Sequence, residues 1–417
     1  MENHRIVFVC LTPYQLFIAN SYAEKLKMEM VNSLIYCIFV NGRNELIIDS
    51  KKSNFDNYWE VPNLFNTIFN RFWKRLFYGG HLFKFSKLRS VLNRYTDLIV
   101  FNDTEPVSWK LIMETKKMNP KNNVILIEEG TGVYNLISNK KNDMVSYLRS
   151  FVMMLTGNPI KYYPIGMTKE INAIIVREPK KMPLEKITNR CLIKQSIGGI
   201  FSEESINNFI DLIDVNDEIN TIKKFDNKSI IFIGQPIIDS NTEINFLNRI
   251  FKVIPQDFKI IIKPHPRDDI DKYNLLSKEF KNIQVIRGKL SLLPFECLLK
   301  KMPSTILMTY SSSAAINSGY IIPKIRVCYL FRILYDYLKS INIEIDIKEL
   351  NKIEQLINSE SIIVKDYKDI ILFIDINKGK NPDKNDESVM ASKKLDIFEG
   401  SDIEYFSSLN TIRNLDD

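Results

Sequence analysis

Several things are missing from this 417-residue chain. No run reaches the roughly 18 apolar residues of a membrane-spanning helix, so no span is expected. The first apolar run, residues 6–11, is too short for a signal-peptide core, and Thr12-Pro13 follows it rather than a cleavage pattern. The five cysteines (Cys10, Cys37, Cys191, Cys297 and Cys328) form no Cys-x-x-Cys pair. They are expected to be reduced, buried thiols of a cytoplasmic protein, with no zinc site. No Gly-x-Gly-x-x-Gly follows the first strand and no P-loop signature occurs, which disfavours a dinucleotide enzyme and an ATPase. No internal repeat is present. The net charge of +7 is mild. It falls short of the dense basic stripe of a nucleic-acid binder, and suits an anionic substrate or peripheral contact with an anionic membrane face.

What is there reads as alternating strands and helices. Residues 6–11 form a strand, Thr12 caps a helix that opens at Pro13 and runs over 14–28, and 34–40 form the next strand. This is the first βαβ unit of a parallel sheet. Further strands are expected at 98–101, 124–127 and 173–176, with helices at 109–117 and 134–156. The alternation resumes with strands at 229–233, 260–262, 283–286, 305–310 and 324–329. Two Rossmann-like α/β domains are therefore predicted, at 1–180 and 186–375, facing across a cleft and joined by the Pro179–Pro183 linker. Residues 376–417 are expected to be a polar loop and a closing segment that packs back. Residues 54–94 interleave aromatics with bases. Aromatics packed on the sheet with bases outside would explain this, as would an interfacial surface for anionic lipid.

In open α/β sheets, ligands bind beyond the carboxyl ends of the strands. Four such ends carry polar chemistry. The first is Thr12-Pro13-Tyr14-Gln15, and the second is Glu128-Glu129-Gly130, where like charges raise one carboxylate toward general-base use. The third is Lys263-Pro264-His265-Pro266-Arg267, whose prolines stiffen the backbone around one of only three histidines. The fourth is Ser311-Ser312-Ser313, hydroxyls and backbone N–H groups at a helix start, suited to a phosphate. Glu296, in a first helical turn, could accept from a ribose diol. Read singly, each is equally served by an ordinary charged turn, exposed turn or helix cap.

Taken in order, Glu128-Glu129-Gly130, His265-Pro266 and Ser311-Ser312 resemble the D/E-D/E-G, HP and SS/T motifs of bacterial sialyltransferases. The opening Leu11-Thr12-Pro13-Tyr14-Gln15-Leu16 is similar to glycosyltransferase family 52, which includes lipooligosaccharide α-2,3-sialyltransferases. The resemblance implies a GT-B fold, a CMP-sialic acid donor and inversion with neither metal nor cofactor. It also implies a galactose-terminated acceptor from lipooligosaccharide or capsule synthesis at the inner face of the cytoplasmic membrane, with a homodimer compatible. By analogy Glu128, ahead of Glu129, is the base. Glu243 and Asp239, after Gly234-Gln235-Pro236, are the alternative source. His265, with Lys263, Pro266 and Arg267 beside it, meets the leaving phosphate; Ser311, Ser312, Ser313 and Gly234 line the donor, and Glu296 holds the ribose or cytosine. Thr12, Pro13, Gln15 and Gly130 lie on the acceptor side.

Overall fold

A computed structural model of the chain describes residues 4–30, 32–41, 46–62, 89–134, 164–188, 190–195, 200–222, 228–266, 268–302, 306–322, 325–343, 354, 357 and 361–377. They fall into two compact units, one ending at Asp214 and one starting at Val215.

The first unit holds strands β1 (Arg5–Cys10), β2 (Leu34–Asn41), β3 (Asn57–Pro62), β4 (Thr96–Val100), β5 (Val124–Ile127), β6 (Ala173–Val176) and β7 (Cys191–Lys194). They form one sheet in the order β3-β2-β1-β4-β5-β6-β7, parallel throughout. The order reverses between β1 and β4, a topological switch point of the doubly wound kind. β4, β5 and β6 are buried along their whole length. That explains their continuous apolar spelling, since a parallel sheet covered on both faces has no polar side to show. Helix α1 (Pro13–Glu29) starts as expected: Thr12 is its N-cap, accepting from the Gln15 N–H, and Pro13 opens the first turn. Helix α2 (Pro106–Met118) begins earlier than the apolar pattern suggested, because Glu105 caps it and Pro106 sets its first turn.

The expected linker at 179–183 does not end this unit. β7 extends the first sheet beyond β6. Helix α3 (Glu203–Leu212) packs on α1, with Phe17 against Phe201 and Phe209 at centroid distances of 5.4 and 5.3 Å. Glu24 of α1 accepts from Ser205 and Asn208 of α3. Asn20 and Ser21, off the apolar stripe, are also buried; Asn20 accepts from the Asn54 N–H at 2.9 Å, and Ser21 donates to the Phe17 carbonyl at 3.0 Å.

The second unit holds β8 (Ser229–Ile233), helix α4 (Ser240–Lys252), β9 (Lys259–Lys263), helix α5 (Ile270–Glu279), β10 (Ile283–Val285), helix α6 (Phe295–Leu299), β11 (Ile306–Thr309), helix α7 (Ser313–Ile321), β12 (Arg326–Tyr329) and β13 (Ile362–Ile363). Its sheet runs β10-β9-β8-β11-β12-β13, again all parallel. The switch point falls between β8 and β11. A single apolar core joins Ile230, Phe232, Ile260, Ile262 and Met308 of the strands to Phe246, Leu247 and Ile250 of α4. At about 1.5–3 kcal/mol for each large apolar side chain fully buried, this core is the main support of the strand ends.

The two-domain α/β expectation of GT-B type is met by two Rossmann-like sheets. The expected helix at 134–156 falls mainly outside the described residues, as do most of the aromatic-basic stretch, Arg267 and the segment from 378 onward. Of the aromatic stretch, 57–62 is edge strand β3, and Phe55 packs on Phe8. Among the described residues no helix is long and apolar enough to cross a membrane.

Candidate active site

In the first unit the polar strand ends gather at the carboxyl edge of the sheet. Thr12, just past β1, donates its hydroxyl to Glu129 Oε1, just past β5, at 3.2 Å. The contact reaches across the end of β4, beside the switch point. Thr12 is itself held as an N-cap by the Gln15 N–H at 3.2 Å, and the Gln15 side chain accepts from the Leu11 N–H at 2.6 Å. Thus Thr12, Pro13 and Gln15 form one tight turn, and that turn aims a hydroxyl at Glu129. Glu129 and Gly130 are half-buried.

Glu128 sits very differently. It is 2% exposed. Its Oε1 takes the Nε–H of Arg177 at 2.7 Å and a second guanidinium N–H from the same side chain. Its Oε2 takes the Arg177 backbone N–H at 2.7 Å and the Tyr134 hydroxyl at 2.6 Å. Both oxygens are occupied by donors and the charge is paired. A base must be able to accept a proton, and protonating Glu128 would break this set. Glu129 is thus the more exposed of the two adjacent carboxylates, and Glu128 the buried, ion-paired one. Arg177 was not anticipated, although it stands directly after β6, at a strand end like the others.

In the second unit the ends of β8 and β11 meet at the switch point. Gln235, after β8, accepts from the Ser311 N–H at 2.8 Å and the Thr309 hydroxyl at 3.3 Å. Ser312 is the N-cap of α7, accepting from the Ala314 N–H, and Ser313 is that helix's first residue. The positive end of the α7 dipole thus lies where a phosphate was expected. His265 is half-buried, in the turn that follows β9 with Pro266 beside it. The other described histidine, His4, sits at the start of β1 in the first unit, bonded to Ser33 and Asp97.

Four residues expected from sequence in donor or base chemistry lie in this unit and make the following contacts. Lys263 is 3% exposed and donates to the Ser291 and Pro264 carbonyls at 2.6 and 3.2 Å, so its ammonium turns inward from the sheet edge. Burial pushes it down to about 7, while Glu296 pulls it back up. Glu296 is buried and accepts from Asn317 of α7 at 2.6 Å, tying α6 to α7. Asp239 is the exposed N-cap of α4, and its hydrogen bonds from Thr242 hold its carboxyl below the usual range. Glu243 is 0% exposed, paired with Lys272 and bonded by Tyr310 at 3.0 Å and Tyr273 at 3.3 Å. Burial raises its carboxyl, against the pull of Lys272.

Gly234 is explained by packing rather than by a ligand. A Cβ there would lie 2.2 Å from the Tyr273 hydroxyl and 3.0 Å from its Cζ. Among the described residues no group of three or more His, Cys, Asp and Glu is placed to hold a metal ion.

The chain's geometry is similar to that of solved structures. A 2,6-sialyltransferase from Photobacterium sp. JT-ISH-224, solved with CMP and lactose, aligns at a TM-score of 0.51 with 12% identity, over 87% of this chain and 78% of that one. The GT-B domain of a Photobacterium damselae sialyltransferase gives 0.49 with 11% identity, over 86% and 99%. UDP-GlcNAc 2-epimerase from Methanocaldococcus jannaschii gives 0.48 with 14% identity, over 99% of both chains. At such identities the likeness is one of fold, and the first of the three carries it. No curated protein matches the sequence. A family model described as Alpha-2,8-polysialyltransferase (POLYST) matches residues 6–331, a span that takes in every strand end described above. It does not single out family 52 or an α-2,3 linkage, and it shows that this chain belongs to the alpha-2,8-polysialyltransferase family.

Proposed function

We propose that this protein transfers sialic acid from CMP-sialic acid to a glycan hydroxyl, with inversion, and that Glu129 is the general base. The observation that carries the assignment is the contrast between the two adjacent carboxylates. Glu128 is 2% exposed with both oxygens bonded by Arg177 and Tyr134, whereas Glu129 is half-buried, with Thr12 among its partners. Glu129 takes the proton of the acceptor hydroxyl as its oxygen bonds to the anomeric carbon. The bond from that carbon to the CMP phosphate oxygen breaks, and CMP leaves as a phosphate monoester. The Ser311–Ser313 turn and the α7 N-terminus stabilise that phosphate, and His265 supplies a hydrogen bond or proton to it. A leaving group with a single phosphate carries less charge than a diphosphate, so these donors serve without a divalent cation. The work is placed at the inner face of the cytoplasmic membrane, on surface-glycan precursors.

The acceptor proposed from the sequence ends in galactose. The family description favours a second reading, in which the acceptor ends in sialic acid and the new bond is α-2,8. The test is transfer from CMP-sialic acid to lactose and to sialyl-lactose in parallel, with chelator present. Products on lactose alone support the first acceptor, and products on sialyl-lactose alone support the second. No CMP release with either, or loss of transfer on chelation, overturns the proposal.

A further inference from the structure

The buried cluster around Glu243 joins two turns that are not neighbours in the sheet. β9 and β11 lie on opposite sides of β8. The His265 turn follows β9 and the serine turn follows β11. Tyr310, directly before Ser311, donates its hydroxyl to Glu243 Oε1 at 3.0 Å. Glu243 Oε2 pairs with Lys272 of α5, and Lys272 also pairs with Asp268. Asp268 donates its backbone N–H to the His265 carbonyl at 2.9 Å. Direct contacts therefore run from His265 through Asp268, Lys272, Glu243 and Tyr310 to Ser311.

The path passes beneath the end of β8. Tyr273, bonded to Asp268 at 2.7 Å, puts its hydroxyl in the space that a Cβ on Gly234 would need. The glycine is thus part of the same assembly, since any side chain at 234 would push the clamp apart. All the acidic, basic and phenolic groups in it are buried. Buried ion clusters of this kind seldom add net stability over a well-packed apolar replacement, because desolvation offsets the attraction. Such a cluster can instead favour one arrangement of the groups it joins, and here it joins the two turns.

We propose that Glu243 is a positioning residue: it fixes the His265 turn and the Ser311–Ser313 turn relative to each other through Lys272–Asp268 on one side and Tyr310 on the other. The catalytic consequence rests on the sialyl-transfer reading, which gives both turns to the leaving phosphate. Glu243 touches no substrate in this account. It acts by keeping two sets of phosphate partners at one separation, and a misplacement of about 1 Å in such groups can cost about 100-fold in rate.

The test is a change at one turn read out at the other. The chain has three histidines, so the His265 ring resonance can be identified by its loss in His265→Ala. Tyr310→Phe removes only the hydroxyl on the serine side and leaves Glu243 its other partners. Glu243→Gln removes the negative charge that pairs with Lys272. In both full-length variants the His265 ring resonance is expected to move while that of His4 stays. With CMP-sialic acid and the better of the two acceptors, kcat should fall about 10-fold or more while the donor KM changes by less than about twofold. Should Glu243→Gln not fold, Tyr310→Phe carries the test. An unmoved His265 resonance in a folded variant overturns the coupling, and a moved resonance with an unchanged kcat overturns its role in the reaction. The ring resonance needs no substrate. A wild-type protein that transfers nothing therefore refutes the functional reading while the coupling is still decided.

Discussion

Arg177 holds Glu128 by two guanidinium N–H groups and by its own backbone N–H, so one residue fills three of the acceptor positions of its partner. The pair bolts the end of β6 to the end of β5, and Tyr134 completes it. The two adjacent carboxylates of the motif are thereby divided into one that is buried and ion-paired and one that is half-buried and bonded by Thr12.

Glu128→Gln should therefore be a stability variant and Glu129→Gln an activity variant. Removing one partner of a buried pair costs about 3–5 kcal/mol, because the other charge is left without compensation. Losing a general base costs about 100- to 10,000-fold in rate. Chemical denaturation of both variants, beside CMP release in the presence of acceptor, separates them. A folded Glu129→Gln with near wild-type transfer would remove Glu129 as the base.

Gly234→Ala should destabilise the second unit by about 1–3 kcal/mol, the usual cost of overpacking. The added methyl would meet Tyr273 at its hydroxyl and Cζ. Tyr273→Phe in the same chain should recover part of the loss, because it deletes the atom only 2.2 Å away. Additive losses in the double variant would show that the strain lies elsewhere.

Ser312 has two roles to separate, cap of α7 and phosphate partner. Ser312→Gly should cost only about a few tenths of a kcal/mol and Ser312→Asp no more than that, since Asp caps helices as well as Ser does. The two should part company in donor binding. Asp places a negative charge where the phosphate goes, so its donor KM should rise steeply, with Gly intermediate. Steady-state kinetics over a CMP-sialic acid series reads this out, and equal KM values for all three would take the phosphate away from this helix end.

Lys263 supplies a pH signature. Its ammonium is pushed down to about 7 in the folded chain, against about 10.4 in an unfolded one. Between these values the unfolded chain binds more protons, so the Lys263 contribution to stability rises with pH, by at most about 1.4 kcal/mol per unit. Below about 7 both states are protonated and the cost of the buried charge is at its full size. Lys263→Met should lose this rise, whatever its absolute stability after giving up two carbonyl contacts. Denaturation of both proteins from pH 6 to 10 tests it, and parallel curves would contradict the assignment.

The strands were legible because burial on both faces leaves an unmistakable apolar spelling: Ile260-Ile261-Ile262 and Val124-Ile125-Leu126-Ile127 are strands as read. So was the α1 cap, since Thr12-Pro13 is local chemistry. Edge strand β3 and the short β7 were not legible, because half-buried edges mix polar and apolar residues. For the same reason the first unit was expected to stop too soon. Asp239 caps α4, which its residue type alone does not announce, because a helix cap and a general base use the same side chain.

The Lys-Pro-His-Pro-Arg turn and the serine run could be placed at strand ends from the chain alone, because strand periodicity and proline stiffness are properties of neighbouring residues. Which carboxylate is occupied could not, because Arg177 lies 49 positions from Glu128 and Tyr310 lies 67 from Glu243. Sequence determined the order of elements and the residue types at each sheet edge. Only the tertiary structure decided which of those charges are paired, since pairing depends on partners that folding alone brings within hydrogen-bond reach.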